Sequence, residues 1–263
     1  MNPFQIFFLS VVHGLTDILP VSSEGHLILL RNLFHIGLAQ ASVQDVFLRA
    51  GTILSMAVFF RGDLKSLASS LVSKVPSPER GDERRKLLFI VVSTAVTVFI
   101  GWRLQGPVLE VESFFPAVGV GFLMTALFLT AGIVGATSRD TFTFSEMSWL
   151  HPVLLGTVQG MAVWPGLSRS GATIGLALFL GWTWSDAGRF SFLMAIPAAT
   201  ITTILSARAL SVPPHPGWLI VGSVVSFFIG LAALALLMGF LQRRVLWPFA
   251  AYAILLAFCA FVK

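Results

Sequence analysis

The sequence predicts an all-α polytopic membrane protein, with six transmembrane helices plus two re-entrant helical hairpins set out as two inverted-topology repeats. Three observations lead there. The 263 residues are 56% hydrophobic and only 11% charged, with a mean hydropathy of +0.87, whereas a soluble domain carries roughly 25% charged residues. Six apolar runs approach the ~20 residues that a spanning helix needs; they lie at about 44–60, 87–104, 115–136, 190–210, 217–241 and 245–262. Two more apolar regions, 3–34 and 151–182, are each interrupted by a polar break.

The breaks define the hairpins. In 3–34 the apolar run stops at Leu19-Pro20-Val21-Ser22-Ser23-Glu24-Gly25-His26, and in 151–182 at Trp164-Pro165-Gly166-Leu167-Ser168-Arg169-Ser170-Gly171. Each half is too short to span alone, so helix, polar turn and returning helix are expected on one side of the bilayer. The chain then reads as one membrane domain, 1–263: a first repeat over 1–136 and a second over 151–263, each a hairpin followed by three spans. Three is an odd number, so the second repeat is inverted, and the two breaks should meet tip to tip near the midplane.

Lysine and arginine set the orientation. Seven of the 17 basic residues lie between Arg61 and Lys86, which places that loop inside. The 105–114 loop carries Glu110 and Glu112 and no basic residue, so it goes outside; Arg139, Arg189 and Arg243-Arg244 then fall inside. Both termini come out external. No cleaved signal peptide is expected. Cys259 is the one cysteine and sits in an apolar run, and no Cys/His cluster has zinc spacing. The basic charge marks a membrane-flanking loop, not a nucleic-acid surface.

Chemistry is expected at the breaks. His13 and Asp17 are four apart and share a helix face. Ser22 and Ser23 open the returning half-helix, whose free N–H groups and hydroxyls suit an anion, and Glu24 and His26 follow. Ionisable groups at this depth are costly without a use. In the second break Arg169 is the only charge between His151 and Asp186. A guanidinium there needs a forked anionic partner: phosphate, or else Asp17 or Glu24 as a structural counter-ion. Ser168, Ser170 and Thr173 add hydroxyls, and Gly166 and Gly171 allow backbone N–H groups to approach. One half of the site thus holds phosphate and the other (Ser22 or Ser23, His26 and nearby acids) carries an activated-nucleophile set. That suits phosphoryl transfer on a phosphorylated lipid. The Gly-x-Ser-x-Gly elbow is excluded because Ser170 stands where glycine is needed.

Several segments resemble the undecaprenyl-pyrophosphate phosphatases of the bacitracin-resistance type, over nearly the whole length. They are Gly14-Leu15-Thr16-Asp17-Ile18-Leu19-Pro20-Val21-Ser22-Ser23 with Gly25-His26, Asp45-Val46-Phe47 with Gly51-Thr52, Phe60-Arg61-Gly62-Asp63-Leu64, Trp164 to Thr173, and Arg189-Phe190-Ser191-Phe192-Leu193 with Ile196-Pro197-Ala198. The resemblance implies hydrolysis of a polyprenyl diphosphate to the monophosphate carrier of cell-wall synthesis, in a bacterial plasma membrane, with resistance to bacitracin. By motif, Ser23 looks like the nucleophile, His26 its partner and Arg169 the diphosphate clamp, with Ser22, Ser168, Ser170 and Thr173 as further contacts. The family's dependence on Mg2+ or Ca2+ implies a divalent cation, for which Asp17 and Glu24 are suitable oxygen ligands. The sequence departs from the pattern at His13 (usually Glu or Gln), Asp17 (usually Glu), Glu24 (usually Thr or Ser) and Arg49 (commonly His). Glu24 is expected to reach a cation or Arg169 across the tips. The other reading is a carrier that flips a polyprenyl phosphate without hydrolysis, an inverted-repeat scaffold being common among transporters. The expected partners are the polyprenyl diphosphate and membrane lipids, with a homodimer compatible and no nucleic acid.

Overall fold

An apolar run that satisfies its own backbone polar groups in lipid does so by coiling into a helix. A computed structural model describes residues 3–35, 38–72, 78–111, 114–138, 147–208, 210 and 217–262. Among them eleven helices form: α1 (Pro3–Thr16), α2 (Ser23–Phe34), α3 (Leu38–Phe59), α4 (Arg61–Val72), α5 (Pro78–Val111), α6 (Phe115–Ser138), α7 (Leu150–Met161), α8 (Arg169–Phe179), α9 (Trp184–Arg208), α10 (Gly217–Gln242) and α11 (Trp247–Val262). The chain is a multi-pass, all-helical membrane protein. Phe4, Leu127, Phe228 and Phe258, all more than 60% exposed, face outward where lipid would lie.

Both apolar regions with a break form pairs of short helices, α1–α2 and α7–α8. Three expectations are corrected. Of the six expected spans, five (in α3, α5, α6, α9 and α10) are long and apolar enough to cross a membrane among the described residues. The sixth, α11, is apolar but has 16 residues, about 24 Å at 1.5 Å per residue and short of a ~30 Å hydrocarbon core. The basic loop 61–86 is largely helical, because Leu64 and Leu67 recur at helical spacing and turn α4 toward the core. Helix α5 continues through the expected loop as far as Val111, 34 residues in all. Glu112 and Arg139, which the orientation reading uses, lie outside the described residues.

The helices pack in a reciprocal pattern: α1 lies on α10 and α7 on α5, while α3 lies on α10 and α9 on α5. Hydrophobic transfer cannot drive helices together in lipid, so small residues that bring backbones close do more of the work. A Cβ built on Gly51 of α3 would lie 2.2 Å from the Ser223 carbonyl oxygen of α10, and one on Gly156 of α7 would lie 2.6 Å from the Ser93 carbonyl oxygen of α5. The main core fills the space between these pairs, with Phe89, Phe192, Met56 and Leu237 fully buried.

Gly51→Val should therefore push α3 off α10. We expect a fall in the thermal unfolding midpoint of the detergent-solubilised protein equivalent to about 1–3 kcal/mol of overpacking. An unchanged midpoint would show that this contact does not hold the bundle.

Candidate active site

The two breaks share one local design. After Thr16 two more helical bonds form (Asp17 N–H to the His13 carbonyl and Leu19 N–H to the Leu15 carbonyl, each 2.9 Å), and Pro20 then has no N–H to offer. Ser22 takes a φ of 67° and caps α2, its Oγ accepting the Gly25 N–H at 3.3 Å. In the second break Ser168 caps α8, its Oγ accepting the Gly171 N–H at 3.1 Å. Ser23 and Arg169 consequently hold equivalent places: each is the first residue of a half-helix whose positive dipole end points into the middle of the protein.

The second break is tied to α6. Thr125 Oγ1 donates to the Gly166 carbonyl at 3.0 Å and accepts the Ser168 N–H at 2.8 Å. Trp164 Nε1 donates to the Ala117 carbonyl at 2.8 Å. Gly166 has φ +87°, and a Cβ there would lie 2.1 Å from the Val118 carbonyl oxygen. Its missing side chain thus makes room for α6.

The breaks meet tip to tip. A Cβ on Gly25 would fall 3.0 Å from the Gly166 Cα, and Ser170 Oγ donates to the Leu19 carbonyl at 3.3 Å. At the junction lies Asp17, its side chain 10% exposed. Oδ1 accepts from Ser23 Oγ at 3.2 Å and from Arg169 Nη2 at 3.5 Å; Oδ2 accepts from Thr52 Oγ1 at 2.6 Å. One carboxylate therefore collects α2, α3 and α8.

The other predicted residues fall around it. His26 lies one turn into α2, but neither ring nitrogen reaches Ser23. Nδ1 is 2.7 Å from the Ser22 carbonyl, so in the neutral ring it carries the hydrogen; Nε2 then accepts the Tyr252 hydroxyl at 2.9 Å, with the two rings stacked 5.7 Å apart. Glu24 does not reach Arg169. It pairs with Arg49 of α3, the one cation that α3 presents to the first turn of α2. Thr173 Oγ1 bonds the Arg169 carbonyl at 2.8 Å and Ser191 Oγ at 2.6 Å, bracing α8 against α9 and not facing the junction. Ser168 Oγ lies 3.3 Å from Ser170 Oγ. His13 is fully buried one turn before Asp17, and neither of its ring nitrogens has a hydrogen-bond partner among the described residues.

As for a divalent cation, among the described residues no three His, Cys, Asp or Glu side chains converge on one point. Asp17 and Glu24 are each held by a different arginine. A cation fits here only alongside phosphate oxygens supplied by a substrate, as Mg2+ is commonly bound.

The family model described as bacitracin resistance protein BacA matches residues 6–259. The chain belongs to the BacA family. Relatives agree over almost the full length. The undecaprenyl-diphosphatase of Desulfosudis oleivorans is 38% identical over 274 residues, covering 97% of this chain and 96% of that protein. That of Geobacter metallireducens is 32% identical over 262 residues, covering 97% and 96%. That of a Mycobacterium species is 32% identical over 264 residues, covering 97% and 94%.

Two residues that hold predicted site residues in place escaped the sequence reading. Thr52 was visible only as part of a motif, since nothing in its spacing ties it to Asp17, 35 positions earlier. Tyr252 carries one clue, being the only tyrosine in the chain.

Removing the Thr52 hydroxyl leaves a buried carboxylate oxygen without its shortest donor. Thr52→Val should lower stability by about 1–3 kcal/mol, read as the thermal midpoint in detergent, while Thr52→Ser, which keeps the donor, should stay near the parent. Equal midpoints for all three proteins would show that the bond to Asp17 is dispensable.

Proposed function

We propose that this protein is an integral-membrane phosphatase that hydrolyses undecaprenyl diphosphate, or a closely related polyprenyl diphosphate, to the monophosphate carrier lipid, and so contributes to bacitracin resistance. The observation that carries the proposal is the Ser23–Asp17 hydrogen bond beneath Arg169, at the meeting point of two half-helix N-termini. Membership of a family whose relatives are named undecaprenyl-diphosphatase weighs for hydrolysis over a carrier that only flips the lipid.

The chemistry follows from those contacts. Ser23 Oγ attacks the terminal phosphorus as its proton passes to Asp17. The bond from that phosphorus to the bridging oxygen breaks, and the polyprenyl monophosphate leaves. Water then cleaves the phosphoserine, releasing inorganic phosphate and restoring Ser23. Arg169 touches Asp17 through one nitrogen at 3.5 Å, a loose contact that leaves its fork able to turn to the phosphoryl oxygens. The first-turn N–H groups of α2 and α8 add fixed positive dipoles where charge develops. His26 acts by position: it ties α2 to Ser22 and to Tyr252 of α11. A divalent cation, when bound with the substrate, would neutralise further phosphate charge.

We also propose that the two halves are inverted repeats, a reading supported by the matching serine caps and by the reciprocal packing of α1 and α3 on α10 and of α7 and α9 on α5. The membrane is the bacterial plasma membrane, with the basic 61–86 segment inside and both termini outside. In a Cys259→Ala background, a cysteine placed at Arg84 should react with impermeant thiol reagents only from the cytoplasmic side. Labelling from outside would reverse the orientation.

The decisive assay is phosphate release from undecaprenyl diphosphate by the purified protein, with and without Mg2+. The wild type should release phosphate. Arg169→Lys keeps the charge but loses the fork, and should lower turnover on the order of 10²–10³-fold; Asp17→Asn should abolish it. Near-normal turnover in the lysine variant would remove Arg169 as the clamp, and no release by the wild type would favour the carrier reading.

A further inference from the structure

A diphosphate brings two anionic groups, and the arrangement around Asp17 offers a second guanidinium that the mechanism above leaves unused. Arg49 of α3 reaches the first turn of α2, where it pairs with Glu24, the residue following Ser23. Arg49 and Thr52 are three apart and so share a face of α3. Thr52 Oγ1 donates to Asp17 Oδ2 at 2.6 Å and also lies 3.1 Å from the Arg49 carbonyl. The α3 face that holds Asp17 is therefore the face that carries Arg49. Arg169 approaches the Ser23–Asp17 pair from α8, and Arg49 approaches it from α3.

We propose that Arg49 is the second diphosphate-binding residue, and that Glu24 is a built-in anion that occupies Arg49 until the substrate displaces it. The inference rests on the phosphatase reading of the same site. Both side chains of the Arg49–Glu24 pair are open to the outside, at 28% and 30% exposure, so a phosphate group can replace the carboxylate without unpacking a core. The exchange balances: Arg49 trades one oxyanion for another, and the freed Glu24 stays at the N-terminal end of α2, where a negative charge is favoured. Arg49 forks onto phosphate oxygens with directional hydrogen bonds that a neutral or singly tipped side chain at this position would not supply.

The test is a pair of substitutions with opposite expected signs, assayed as undecaprenyl diphosphate hydrolysis by the full-length protein in detergent. Arg49→Gln should raise KM on the order of 10- to 100-fold, as losing one charge-assisted hydrogen bond does, with kcat changed much less. Glu24→Gln should lower KM by freeing Arg49. The double variant should match Arg49→Gln, because Glu24 acts only through Arg49. Suppose instead that the pair is merely a clip between α2 and α3. Both single variants would then lose thermal stability alike with KM unmoved, and that result overturns the proposal. If the wild type releases no phosphate, the phosphatase reading fails separately. Binding of inorganic diphosphate, measured by calorimetry, then decides: weaker binding by Arg49→Gln and tighter binding by Glu24→Gln uphold the subsite, and equal binding by all three proteins removes it.

Discussion

A carboxylate set among helices that should lie in hydrocarbon has to be matched by donors, and the arrangement around Asp17 follows from that need. Its two oxygens take hydrogen bonds from Ser23, Thr52 and Arg169, on three different helices. Ser23, six residues on, could not reach it if α1 and α2 formed one continuous helix. Pro20 and the positive φ of Ser22 turn the chain back, and the Gly166 turn brings α8 to the same place. The breaks cost backbone hydrogen bonds, which the serine caps and Thr125 partly restore. Helix interruption, polar burial and close glycine packing are in this sense one feature. Each is tolerable in lipid because the others are present.

The same constraint separates the residues that face the junction from those that build it. Ser22, Ser168 and Thr173 were all expected to contact phosphate. The first two each accept a backbone N–H as helix caps, and Thr173 uses its hydroxyl on Ser191 and the Arg169 carbonyl. They set where Ser23 and Arg169 stand. A hydroxyl beside a catalytic motif is as often part of its scaffold as of its chemistry, because a half-helix that starts in a membrane has backbone donors to satisfy before any ligand arrives.

Much of this was legible before the structure. Proline, glycine, paired serines and a lone charge inside apolar runs located both breaks, and the count of spans between them led to tips that meet, as the Gly25–Gly166 approach and the Asp17–Arg169 contact bear out. What stayed hidden depends on rotation about helix axes. Nothing in the spacing says that Thr52 faces Asp17, that Tyr252 closes over His26, or that Glu24 turns to Arg49 and not across to Arg169. Helix ends were hidden for a different reason. The charges of 61–86 favoured a loop, but Leu64 and Leu67 give that segment an apolar face to pack, and packing prevailed.

The pairing of Glu24 with Arg49 also changes how the departures from the family pattern are to be understood. Taken singly, an acid beside the nucleophile and an arginine in the first span are two unrelated anomalies. In the structure they are one feature, since each charge is the other's partner. His13 stands apart. It puts an imidazole where the pattern has Glu or Gln, and it sits fully buried with no hydrogen-bond partner for either nitrogen among the described residues. Relative to the acidic form of the pattern, the carboxylate count at the junction is thus kept at two, with one carboxylate moved from α1 to α2 and a guanidinium brought with it. The result is a site with one more guanidinium on the helices around Ser23. The altered acids do not argue against hydrolysis. On the proposed phosphatase chemistry, the second guanidinium adds to the charge stabilisation that Arg169 supplies.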